Sequence, residues 1–127
     1  MRWIIQQMMF LTFEQVLELH ESILIPANPR GYDEGKIRSI MGTIAGGVGT
    51  ALFHPTVLEA GAAYLFYFAS GQAFAKGNKR TAVITCDIFL DLNGKPLISA
   101  IDTSIVWKIA DKKCTKEEVL EYLKGIV

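Results

Sequence analysis

The sequence predicts an all-α domain. Three observations carry that prediction: apolar residues recur at helical spacing in successive segments, the segments open on capping patterns or close on glycine and proline, and no strand-helix-strand alternation is present. With 127 residues and 14.1 kDa, the chain suits one core, so residues 1–127 are read as a single compact bundle of about six helices.

Thr12-Phe13-Glu14-Gln15 is a capping-box pattern that opens an amphipathic run through Val16, Leu17, Leu19, His20, Ile23 and Leu24, stopped by Pro26. Residues 26–32, rich in turn formers, read as a surface loop. A second helix is predicted from Asp33, with Ile37, Ile40, Met41 and Ile44 on one face, until Gly46-Gly47. Thr56 and Glu59 form a second capping pattern, heading a long helix to Ser70-Gly71. Its small and aromatic residues lie all round the axis, which marks the core helix. A fourth helix is predicted from Asn78 to Leu92, closed by Asn93-Gly94-Lys95-Pro96. Asp102-Thr103-Ser104 starts a short fifth helix ending near Asp111, and Thr115 to Glu118 caps a sixth reaching Lys124. One short strand is predicted within Trp3 to Leu11.

Half of the residues are hydrophobic and a fifth charged, a composition that folds. The formal net charge is zero, which argues against direct nucleic-acid binding and leaves any anion site to a local cluster, Lys76, Lys79 and Arg80. Cys86 and Cys114 stand apart without metal-ligand spacing, so no metal site is predicted from them, and Cys86 reads as a core residue. The apolar runs at the N-terminus and at Ala60 to Ala69 are too short to span a bilayer. A cytoplasmic location without membrane contact is expected.

The chemistry concentrates between the third and fourth helices, in Gly71-Gln72-Ala73-Phe74-Ala75-Lys76-Gly77-Asn78-Lys79-Arg80-Thr81. The loop brings glycine, asparagine and cations to a helix N-terminus. Unpaired backbone N–H groups and the positive end of the dipole attract anions there, and an arginine grips phosphate oxygens bidentately. Cations in a first helical turn oppose that dipole unless an anion compensates. The residues alone leave a solvated basic loop open beside a phosphate site.

Phe74 to Ala82, framed by the upstream apolar helix and by Phe89-Leu90-Asp91-Leu92-Asn93-Gly94, resembles the signature region of death-on-curing (Doc) toxins in the Fic superfamily, H-x-F-x-(D/N/E)-(A/G)-N-(K/G)-R. The resemblance extends back through Glu18-Leu19-His20 to Phe10-Leu11-Thr12, and to Gly31 through Lys36. Val83 stands where the AMP-transferring branch carries a second arginine, which is more similar to Doc.

The resemblance implies a six-helix fold and transfer of a phosphate-containing group from a nucleoside triphosphate with Mg²⁺ to a protein hydroxyl. It implies a prokaryotic toxin–antitoxin pair, with an antitoxin protein as partner and a target protein, of which a translation factor is the example the family offers. Carried over, Gly77 and Asn78 line the phosphate pocket, Lys79 and Arg80 neutralise phosphate charge, and Phe74 anchors the loop. Two positions depart from the pattern. Gln72 stands at the histidine position, and its amide cannot act as a general base. Lys76 stands at the acidic position and would repel the metal. Both changes strike catalysis and spare phosphate binding, so activity is expected to be weak or absent. A non-catalytic nucleotide- or protein-binding module is the alternative, and a transferase recruiting another base such as His54 is a third reading. His20 reads as a packing or surface histidine, His54 as a loop residue, and Asp87 with Asp91 as a solvated pair.

Overall fold

The computed structural model describes residues 8–127. Its described residues form six helices, α1 (Phe13–Ser22), α2 (Glu34–Ala45), α3 (Val57–Gly71), α4 (Asn78–Leu92), α5 (Thr103–Ala110) and α6 (Lys116–Lys124), with a two-stranded hairpin, β1 (Gly47–Val48) and β2 (Ala51–Leu52), after α2. The all-α bundle predicted from the sequence is therefore the observed fold.

Local chemistry explains where most helices begin and end. Thr12 and Thr115 make full capping boxes, with the third-position Gln15 and Glu118 returning to the cap backbone N–H. At α3 the box is only half formed: Thr56 accepts from the Glu59 N–H, but its hydroxyl donates to the Glu59 carboxylate. Asp33 and Asp102 cap α2 and α5 through their carboxylates. At the far end of α4, Gly94 adopts φ +76°. The Lys95 N–H then reaches the Leu90 carbonyl and the Gly94 N–H reaches that of Asp91, the paired closure of a Schellman motif.

The central helix is α3, which packs on α4, α6, α2 and α5. Its buried residues, among them Ala60, Ala63, Tyr64, Leu65 and Phe68, cover more than one face, so it has partners on several sides. Gly61 sits directly against Leu90 of α4, where a Cβ would come within 2.6 Å of Cδ2. The missing side chain at Gly61 leaves the room that Leu90 fills where the two helices that flank the loop meet.

Two sequence expectations need adjustment. Of the strand predicted within Trp3 to Leu11, Trp3 to Gln7 lie outside the described residues, and Met8 to Leu11 form no strand. Side chains satisfy this segment instead: Asn93 accepts from the Met9 N–H and donates to its carbonyl, and Tyr64 Oη accepts from the Leu11 N–H. Burial pushes the Tyr64 phenol up to about 12, so it remains a neutral hydroxyl. The hairpin at Gly47 to Leu52 was not predicted, because two-residue strands are too short to show alternation. Among the described residues no helix is long and apolar enough to cross a membrane.

Candidate functional site

Three devices shape the loop from Gln72 to Gly77. At its start α3 ends in Gln72 at φ 50°, ψ 47°, a left-handed turn uncommon for a side-chain-bearing residue. The chain then pairs for one residue with the entry to α2: the Asp33 N–H donates to the Ala73 carbonyl at 2.8 Å and the Ala75 N–H to that of Gly31 at 2.9 Å. Finally, Asn78 bends its amide back onto Phe74, accepting from the Phe74 N–H at 3.0 Å and donating to its carbonyl at 2.8 Å. The Asn78 side chain thus shapes the loop, and its own N–H joins the open helix start.

Phe74 ties the loop to the core. It is buried, its ring stacked on His20 with centroids 3.9 Å apart and near Phe68 at 6.3 Å. The same His20 ring places Nε2 2.8 Å from the Lys76 carbonyl oxygen, so the proton sits on Nε2 and is donated. His20 is therefore a packing histidine that also clamps the loop from α1. Gly77 closes the loop at φ +86°, with Ile23 and Leu24 so near that a Cβ would meet Ile23 Cδ1 at 2.5 Å. Only glycine combines that backbone with that approach without strain.

Gly77 has no side chain to cap α4, and no carboxylate lies in the first turn. The helix start thus presents free N–H groups with Lys79 and Arg80 among them, the geometry that attracts an anion. Arg80 is exposed and makes no salt bridge among the described residues. The Lys79 ammonium lies 4.1 Å above the Trp107 ring of α5. Lys76 to Arg80 line one depression of about 570 Å³ with Ile23, Leu24 and Trp107. Lys79 and Arg80 also line a second, more apolar one of about 580 Å³. Gln72 and Lys76 are both exposed, Gln72 at the start of the loop and Lys76 just before Gly77, where the Lys76 carbonyl is held by His20.

The residues do not fit a divalent cation. Lys76 brings a positive charge to the position where an acidic ligand is expected, and no group of three or more metal-ligating side chains exists among the described residues.

His54 lies apart from this loop. It is buried, with Nδ1 3.1 Å from the Ile44 carbonyl oxygen and Nε2 3.0 Å from the Lys116 ammonium, which also reaches Tyr67 Oη at 3.3 Å. Nδ1 therefore carries the proton and Nε2 accepts from Lys116, which leaves no free lone pair to act as base. Burial foremost, with the Lys116 charge beside it, holds its pKa below the ordinary 6.5. Cys86 and Cys114 are free thiols, and burial raises the pKa of Cys86 far above the ordinary range, which makes it a core hydrophobe.

Sequence reasoning found the loop but missed two neighbours. The link from His20 to Lys76 spans 56 positions and has no local signal. Trp107 comes from a helix whose pattern reads only as amphipathic packing, and its place beside Lys79 depends on how α5 docks.

A search of curated proteins found no match. The model of the Fic/DOC family matches residues 10–90, which run from the segment before α1 through the loop and almost to the end of α4. The chain belongs to the Fic/DOC family.

Proposed function

We propose that this domain is a Doc-like member of its family that binds the phosphates of a nucleoside triphosphate at the start of α4, with transferase activity weakened by Gln72 and Lys76. The observation that carries the reading is the uncapped α4 N-terminus: no side chain caps it and no first-turn carboxylate offsets Lys79 and Arg80. In a competent transferase a base takes the proton from a protein hydroxyl, whose oxygen then attacks phosphorus as the bond to the leaving phosphate oxygen breaks. Gln72 cannot take that proton. Lys76 opposes a metal that would otherwise offset charge on the phosphates. An antitoxin protein is the proposed partner and a protein hydroxyl the proposed acceptor.

The test is repair. Gln72→His with Lys76→Asp is expected to restore label transfer from ATP or GTP to a protein in a cell lysate, and growth arrest on expression. Each single change should recover less. Loss of a general base alone costs about 10²–10⁴-fold in rate, and the two effects should be non-additive because base and phosphate position act on one step. A double variant that binds nucleotide but transfers nothing would make the domain a binding module instead.

A further inference from the structure

The peptide that joins Lys76 to Gly77 has two faces, and the backbone of a glycine does not by itself select between them, because glycine adopts either sign of φ. One face offers a carbonyl oxygen to the open side of the loop and the other an N–H. The peptide is trans and planar, so its C=O and N–H point in opposite directions. Its carbonyl oxygen lies 2.8 Å from His20 Nε2, which turns the N–H of Gly77 away from that ring. Gly77 then sits at φ +86°, ψ +20° and Asn78 begins the right-handed helix. Such an alternation of hand turns successive N–H groups towards one point, here those of Gly77, Asn78 and Lys79. None of the three has a backbone acceptor among the described residues.

We propose that His20 is a positioning residue for anion binding: by donating to the Lys76 carbonyl it fixes the Lys76–Gly77 peptide with the Gly77 N–H turned to the phosphate. The inference rests on the phosphate reading of the α4 start. His20 is itself held in place, 3% exposed, with its ring 17° from parallel to that of Phe74. The Asn78 amide in turn ties down both the N–H and the carbonyl of Phe74. The restraints close into a circuit, from Asn78 to the Phe74 backbone, from ring to ring, and from His20 back to the peptide before Gly77. The Lys76 carbonyl has no other donor among the described residues. Without Nε2 it would be left unpaired beside α1, which is costly, and a flip of the peptide would relieve it by turning the oxygen to water. That flip sets a carbonyl dipole against the phosphate where an N–H had been. Histidine meets both demands at once, a flat ring for Phe74 and an N–H on its far edge for Lys76.

The experiment uses the full chain and two variants that divide those demands. His20→Phe keeps a flat ring on Phe74 and removes the donor, whereas His20→Gln keeps an N–H at the reach of Nε2 and removes the ring. Inorganic tripolyphosphate and ATP are titrated by calorimetry, and the Gly77 amide is followed by proton–nitrogen NMR of glycine-labelled protein. His20→Phe should bind both anions at least about tenfold more weakly, the effect of one lost hydrogen bond to a charged group, while His20→Gln stays within about threefold. The Gly77 amide should move as either anion binds the unsubstituted protein or His20→Gln, and should stay in place in His20→Phe at equal occupancy. A histidine that served packing alone would give the reverse order, since phenylalanine keeps the stack and glutamine does not. Equal affinity in all three proteins, weaker binding by His20→Gln than by His20→Phe, or a Gly77 amide that does not move as the unsubstituted protein binds, would overturn the positioning role and leave the phosphate site standing. If neither anion binds the unsubstituted protein, the phosphate reading fails and the positioning role goes with it. The Gly77 shift is read with His20 intact, so the inference remains testable even if His20→Phe folds poorly.

Discussion

Gly77 and Gln72 are the two left-handed residues that frame the loop, and substitution affects them differently. Gly77→Ala forces a Cβ into φ +86° and against Ile23, so thermal or denaturant unfolding should show a loss of about 1–3 kcal/mol. Gln72 already bears that backbone cost, and histidine is among the residues enriched in left-handed conformations. Gln72→His should therefore leave the melting temperature nearly unchanged, which separates repair of chemistry from damage to folding. His54 supplies a pH dependence. Its pKa in the fold lies below 6.5, so its neutral form favours folding above that value. Stability should fall as pH drops below 6.5 towards the folded pKa, because the unfolded chain takes up a proton there that burial and the Lys116 ammonium beside Nε2 keep off the folded imidazole. His54→Gln should flatten that fall; an unchanged pH profile of the melting temperature would remove His54 as its cause. The residues of the motif were legible because their chemistry is local. His20 was not, since its hydrogen bond to Lys76 exists only after α1 packs against the loop.

Helix ends were the most legible elements, because a capping threonine and its partner three residues later interact before any tertiary contact forms. Thr115→Ala should thus cost about 1 kcal/mol by calorimetry, since the Glu118 N–H and the start of α6 lose their side-chain partner. The segment Met8 to Leu11 was illegible as an element. Its polar groups are satisfied by Asn93 and Tyr64, whose positions follow from α3 and α4 packing rather than from alternation. The α3–α4 contact makes a stronger demand. Leu90 lies where a Cβ on Gly61 would go, so Gly61→Val should overpack the pair and destabilise by about 1–3 kcal/mol. Because α3 and α4 hold the two ends of the loop, that variant should also loosen nucleotide binding. An unchanged affinity would mean that the loop is held by His20 and Asn78 alone.

Across the whole molecule, α3 supplies a core from which the loop emerges, α1 clamps the loop from beneath and α5 brings an aromatic face to its open side. The chain carries no net charge, so the proposed attraction for an anion is local to the α4 start. That predicts binding which salt weakens, but which tracks Arg80 rather than the overall charge. The most direct measurement is calorimetric titration of ATP and GTP into the unsubstituted protein and into Arg80→Ala. A charge-assisted hydrogen bond contributes about 1.5–3 kcal/mol, so Arg80→Ala should bind about ten- to a hundredfold more weakly while melting at nearly the same temperature. Equal affinity in the two proteins, or no binding by the unsubstituted one, would contradict a phosphate site at the start of α4.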